Sequence, residues 1–158
     1  MLNKEIKAVV QPRIYSSEKV KLEDVTPLKT PFSVHIDVCS YCNFKCSFCF
    51  QADTLGKKKK NFPHGMMNTE LFKKTVDDLK EFPDKIKKIK IGNHGEPTMH
   101  PELPKFIEYA RNSRVADIIE VFTNGSKLNP KFNKELVDAG LQRINISLEG
   151  LSSERYLK

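Results

Sequence analysis

The chain has no cysteine outside the eleven-residue stretch CSYCNFKCSFC, Cys39 to Cys49. It has no apolar run near the roughly 20 residues that a membrane span needs. Its start, MLNKEIKAVV, is charged and carries none of the apolar h-region of a secretory signal. These absences point to a cytoplasmic protein, in a compartment where stable disulfides are rare, so a tight cysteine cluster there points to metal or redox chemistry. The basic excess, a net charge of +7, sits largely in one run, Lys57 to Lys60 of GKKKKNF. No RNA-binding motif of interleaved aromatic and basic residues accompanies it. The run reads as a solvated loop, with a patch for an anionic partner as the sharper alternative.

What is present is enough for one folded domain. The length of 158 residues is that of a single domain, and 39% apolar with 30% charged residues allows a buried core. Residues 1–31 read as a polar N-terminal extension closing on Pro27 and Pro31, with the core domain over residues 32–158. From Phe32 a strand–helix pattern repeats. FSVHIDV alternates Val34, Ile36 and Val38 against Ser33, His35 and Asp37, which is a strand. Asn68 can cap a helix over TELFKKTVDDLKEF, with Phe72, Val76 and Leu79 at helical spacing and Pro83 beyond its end. KIKKIKIGN is a second strand, and PELPKFIEYARN a helix with an apolar stripe of Leu103, Phe106, Ile107 and Ala110. DIIEVFTN is a third strand. Asn129 then caps a helix that has Pro130 at its first position, Phe132 and Leu136 on its apolar side and Gly140 at its end. RINISLEG is a fourth strand, and SSERYLK reads as the first turn of a further helix.

Four strand–helix repeats imply an α/β fold with parallel strands. The strands show one apolar and one polar face. A doubly wound sheet covered on both sides would read as nearly continuous apolar runs. A polar face points instead to a barrel or part of one, with helices outside and a ligand-lined interior. The unusual segments follow the strands: the cysteine cluster after the first, GNHGEP after the second, TNG after the third, SLEG at the fourth. Ligands in such folds sit where strands end and loops begin.

The cysteines admit three readings: two disulfides, four ligands to one metal, or a three-residue site with a bystander. Cys42, Cys46 and Cys49 have the spacing C-x3-C-x2-C, and three thiolates at such steps can wrap one compact iron–sulfur cube with one iron left open. By analogy with zinc sites, an open position marks a reactive centre.

CNFKCSFC, with Phe48 as the aromatic before its last cysteine, resembles the cysteine motif of the radical S-adenosylmethionine (radical SAM) superfamily. HGEP, His94 to Pro97, resembles that family's G-G-E-P motif, and TNG and ISLEG resemble its third- and fourth-strand segments. The resemblance runs from about Phe32 to the last residue. It implies a partial (β/α)6 barrel of the TIM-like type, of which this chain carries about four units and is expected to be truncated after the fourth strand. It implies a 4Fe–4S cluster on Cys42, Cys46 and Cys49, and S-adenosylmethionine chelated at the open iron. Reductive cleavage then yields a 5′-deoxyadenosyl radical that abstracts hydrogen from a substrate. The resemblance places the Gly95–Glu96 backbone at the methionine amino group. It sets Thr123 near the methionine carboxylate, Ser147 at the carboxylate or ribose, and Phe48 against the adenine. Period-two counting puts the Thr123 and Ser147 hydroxyls together on the polar, cluster-facing side. An electron donor such as a flavodoxin or ferredoxin is the implied partner, and the family style points to a peptide or a sugar-linked substrate.

Two residues depart from the family pattern. Cys39 stands where relatives often carry Thr and reads as a small buried residue beneath the cluster. His94 replaces the first Gly of G-G-E-P, as a loop residue or a proton donor. His35 and Asp37 share the polar face, as substrate contacts or as filler. The rivals are a structural zinc module on Cys39, Cys42, Cys46 and Cys49, and a ferredoxin-like carrier closed by Cys39. The zinc module leaves HGEP, TNG and SLEG unexplained, and an electron carrier does not need an alternating strand–helix core around an open iron.

Overall fold

The computed structural model describes residues 21–49, 51, 64–148, 150, 152 and 154. The Lys57–Lys60 run, the first twenty residues of the extension and most of SSERYLK lie outside the described residues. Four parallel strands, β1 (Ser33–Ile36), β2 (Ile86–Ile91), β3 (Ala116–Thr123) and β4 (Arg143–Ile146), form one sheet in sequence order. Three helices connect them: α1 (Thr69–Asp78), α2 (Leu103–Ser113) and α3 (Pro130–Asp138).

The helix boundaries follow from local chemistry. The Asn68 side chain accepts the Leu71 N–H at 2.7 Å, and Asn129 accepts the Phe132 N–H at 3.0 Å. Each satisfies a donor that the first helical turn cannot. Pro130 fits the first turn of α3, where no N–H is needed. The chain leaves α3 through Gly140 at φ +85°, a backbone state that costs other residues a steric clash.

Register decides what each face carries. Val34, Ile36, Ile89, Ile91, Ile119 and Val121 line one side by pairing and alternation. The helices bury that side with Phe72, Val76, Leu103, Phe106, Ile107 and Leu136. Phe72 stacks on Phe106 with ring centroids 4.3 Å apart, joining α1 to α2. Burying each such ring stabilises the fold by about 1.5–3 kcal/mol.

The opposite face is polar, as the alternation predicts. One row runs straight across it: His35 pairs with Lys90, Lys90 with Glu120, and Glu120 with Arg143. Glu120 is buried there, its carboxylate 3.6 Å from the Arg143 guanidinium. This face is not wholly polar, since Ile118 and Phe122 share it by register.

Residues 21–31 begin with a single turn at Leu22–Asp24 and run along the opposite, N-terminal end of the strands. The Thr30 hydroxyl accepts the Asp84 N–H there at 3.2 Å. No helix among the described residues is long and apolar enough to cross a membrane.

Candidate active site

The loops after β1, β2 and β3 are tied together at Glu96, through its buried carboxylate and its backbone N–H. Its Oε1 accepts from the Thr98 N–H at 3.0 Å, the Thr98 hydroxyl at 2.5 Å and the Thr123 hydroxyl at 2.6 Å. Its Oε2 accepts from the Asn124 N–H at 2.7 Å. The Glu96 N–H in turn donates to the Tyr41 carbonyl, inside the cysteine loop, at 2.7 Å. One residue thus joins the loop after β2 to the end of β3 and to the cysteines.

Gly95 makes this junction possible. Its φ is +79°, and a Cβ built on it would lie 2.3 Å from the Cys39 carbonyl oxygen and 2.8 Å from the Ser40 backbone. The absence of a side chain at Gly95 thus lets this loop lie directly against the cysteine loop. Gly95→Ala is expected to cost about 2–5 kcal/mol, combining a left-handed backbone with an overlap that only backbone movement can relieve. Urea unfolding checks this, and a loss below about 1 kcal/mol would contradict it.

Asp37 is a second tie. Its Oδ1 accepts the Asn93 N–H at 2.7 Å and the His94 N–H at 3.0 Å, and its Oδ2 meets His94 Nδ1 at 2.6 Å. Burial pushes the carboxyl up, but the hydrogen bonds from the His94 backbone and ring and the Asn93 backbone outweigh it and hold the group below its usual value. A depressed carboxyl adds stability above its unfolded-state pKa, about 3.9, and loses it as pH falls through the lower folded value. Asp37→Asn should therefore flatten the acid limb of stability below about pH 4. Urea midpoints measured across that range check it, and wild-type and variant curves that stay parallel would contradict it.

The cysteine loop is anchored at its start and leaves its three outer cysteines partly exposed. Cys39 is buried and forms an antiparallel bridge with Met66. The Ser40 N–H donates to the Gly65 carbonyl at 3.0 Å, and the Met67 N–H to the Val38 carbonyl at 2.8 Å. The Cys39 thiol points at the Tyr41 carbonyl, 3.6 Å away, and burial pushes its pKa up. Cys42 is exposed, and Cys46 and Cys49 are half-buried; no disulfide joins any two of the four cysteines.

As placed, the described residues gather no group of three or more His, Cys, Asp or Glu side chains into a metal-holding arrangement. The donor set nonetheless suits an iron–sulfur centre. Cys42, Cys46 and Cys49 lie on one irregular loop, each with some exposure, and the Phe44 N–H lies 3.4 Å from Cys42 Sγ.

The remaining expected residues divide. Ser147 is exposed at the end of β4, with its N–H on the Thr123 carbonyl at 2.9 Å. Phe48 is 69% exposed. Thr123 corrects the period-two count. It pairs with Ile146, so it lies on the apolar side with Val121 and not on the face of Ser147. It is buried, and its single O–H is donated to Glu96. Sequence reasoning assigned no role to Asn43, Thr98 or Ser126, although Asn43 donates to the Ser126 hydroxyl at 2.8 Å across the mouth. CNF and TNGS, with their short polar side chains, were the available signal.

Four parallel strands, a polar face and a three-thiol loop at the strand ends define an α/β fold of the partial-barrel kind. Residues 36–158 match the radical SAM superfamily, and the chain belongs to it. This is a superfamily of enzymes that use a 4Fe–4S cluster and S-adenosylmethionine. The chain is 36% identical over 127 residues to a probable GTP 3′,8-cyclase of Methanococcus maripaludis, covering 80% of this chain and 39% of that protein. It is 37% identical over 132 residues to the GTP 3′,8-cyclase of Helicobacter pylori, covering 79% and 37%. Among solved structures, BtrN in complex with AdoMet and 2-DOIA superposes with a TM-score of 0.61 at 23% identity, over 73% of this chain and 45% of that one. Histidine-tagged anSMEcpe with bound AdoMet gives 0.61 at 24% identity, over 80% and 34%. The chain thus spans less than two-fifths of the length of these curated relatives.

Proposed function

We propose that Cys42, Cys46 and Cys49 hold a 4Fe–4S cluster at the mouth of the polar face, that S-adenosylmethionine binds beside it against the strand ends, and that the substrate is an anionic nucleotide of the GTP kind. The observation that carries this reading is the Glu96 junction, which fastens the cysteine loop to the two strand-end loops most like the family's S-adenosylmethionine-binding segments. When bound, the cluster supplies the electron for reductive cleavage of S-adenosylmethionine.

The chain's own residues prepare the ground. The three thiolates fix the iron, and Cys39, packed under the loop, stays out of the ligand set. The Gly95–Glu96 backbone receives the methionine amino group. The exposed Ser147 hydroxyl offers a hydrogen bond to the carboxylate or ribose, and the open Phe48 ring offers an apolar surface to the adenine. Thr123 acts through Glu96, because a carboxylate could take its one proton only by breaking that bond.

The polar face favours an anion. Lys88, Lys90 and Arg143 set three positively charged side chains, with His35 beside them, against the two carboxylates of Glu120 and Asp37. Such a surface concentrates polyphosphates, and the relatives named as GTP 3′,8-cyclases point the same way. This reading replaces the peptide or sugar-linked substrate expected from motif style. A low-potential flavodoxin or ferredoxin would deliver the electron, in the cytoplasm.

The test is anaerobic. Protein reconstituted with iron and sulfide, reduced with dithionite and given S-adenosylmethionine should release 5′-deoxyadenosine, and GTP should increase the yield. Iron-loaded protein that forms none overturns the proposal. Equal yields with and without GTP overturn its substrate half.

A further inference from the structure

Asn124 belongs to the loop after β3, yet its side chain reaches the cysteine loop. Its Nδ2 donates to Asn43 Oδ1 at 3.0 Å and lies 3.9 Å from Cys42 Sγ. It is held on both sides. The Asn124 N–H is bound to Glu96 Oε2 at 2.7 Å, and Asn124 Oδ1 accepts the Ser126 N–H at 2.9 Å. The backbone is therefore fixed by a buried carboxylate and the amide orientation by its own turn, which points the –NH2 group at the sulfur. Cys42 Sγ already faces one donor, the Phe44 N–H at 3.4 Å. Sulfur is a weak acceptor in its neutral form and a much better one as a thiolate. Two N–H groups converging on one exposed cysteine thus favour the electron-rich, metal-bound sulfur over the free thiol.

We propose that Asn124 is a positioning residue for the Cys42 ligand, and that its amide N–H sets the reduction potential of the centre by hydrogen-bonding to that sulfur. The proposal rests on the reading of Cys42, Cys46 and Cys49 as cluster ligands. Hydrogen bonds to ligating sulfur disperse negative charge, which increases on reduction, so they raise the potential. Losing one should make the cluster harder to reduce.

The variants are Asn124→Asp, which keeps the acceptor for Ser126 and removes the donor, and Asn124→Ala, which removes both. Asn43→Ala serves as a control, because it removes the Oδ1 acceptor of the Asn124 amide and leaves that amide beside Cys42. Each protein is reconstituted anaerobically, its iron counted, and its midpoint potential read by EPR-monitored titration. A cluster-bearing Asn124 variant should show the reduced-to-oxidised ratio at fixed potential falling about tenfold, a shift of about 59 mV for one electron, with Asn43→Ala close to wild type. Wild-type potential in a cluster-bearing Asn124 variant overturns the proposal. Loss of the cluster from both variants overturns it too, because Asn124 then serves only to hold the loop. A wild-type protein that takes up no cluster overturns the underlying ligand assignment instead, so the two failures are distinguishable.

Discussion

Alanine at Cys42, Cys46 or Cys49 is expected to yield colourless protein with only background iron after anaerobic reconstitution, whereas Cys39→Ser remains brown. The environments of the thiols differ in kind. The three outer cysteines have some exposure on an irregular loop and can turn their sulfurs to a common centre. Cys39 is 1% exposed, faces a carbonyl and has a thiol pKa raised by burial, so forming its thiolate would mean charging a group already shut away from water. The serine variant should lose about 1–3 kcal/mol of stability, because a more polar group replaces a buried thiol, but not the metal. Iron analysis and visible absorption read the first effect, and urea unfolding the second. Iron loss in Cys39→Ser, with retention in any one of the outer three, would reverse the assignment and favour a shell of different composition.

Glu96→Leu should be nearly as severe by a different route. Leucine approximates the volume of the side chain but leaves four donors without an acceptor: the Thr98 N–H and O–H, the Thr123 O–H and the Asn124 N–H. A buried donor left without an acceptor costs about 1–3 kcal/mol, so four of them forfeit a large share of the roughly 5–15 kcal/mol that typically holds a domain folded. Glu96→Gln should lie between, since its amide keeps one oxygen but turns an –NH2 group toward other donors. Urea denaturation of both variants, with iron uptake measured in parallel, tests this. A leucine variant within about 1 kcal/mol of wild type would mean that the loops are held elsewhere.

The helices were legible because their signals are local. Asn68 and Asn129 cap where Asn before an apolar-periodic run should cap, and all four residues of the Leu103, Phe106, Ile107 and Ala110 stripe are buried. The alternation of strands and helices likewise fixes the sheet's parallel character. Thr123 was misplaced for a physical reason: Ile118 and Ile119 are adjacent apolar residues in β3, so that strand has apolar groups on both faces and its own parity is ambiguous. Only the pairing of Thr123 with Ile146, a contact between separate strands, resolves it. The Glu96 junction was hidden in the same way. Its partners Thr123 and Asn124 lie 27 and 28 residues away, and neither spacing nor propensity reports a bond of that span. Gly95 was recognisable as part of HGEP, but its contact with the Cys39–Ser40 backbone is a property of the folded chain.

On the proposed ligand assignment, the anchoring of the cysteine loop would couple metal loading to folding. Its middle is fastened by a few bonds to other β/α units: to Glu96 after β2, and to Asn124 and Ser126 after β3. Those bonds exist only when the units are docked. A ligand that recognises only the docked arrangement contributes RT ln(1 + [L]/Kd), about 2.7 kcal/mol at a hundredfold excess over Kd. That contribution falls on the contacts between units, not within any one of them. Oxidative loss of an iron centre held in this way would therefore loosen the packing of one unit on the next, and the protein's resistance to unfolding would depend on the oxygen exposure of its surroundings.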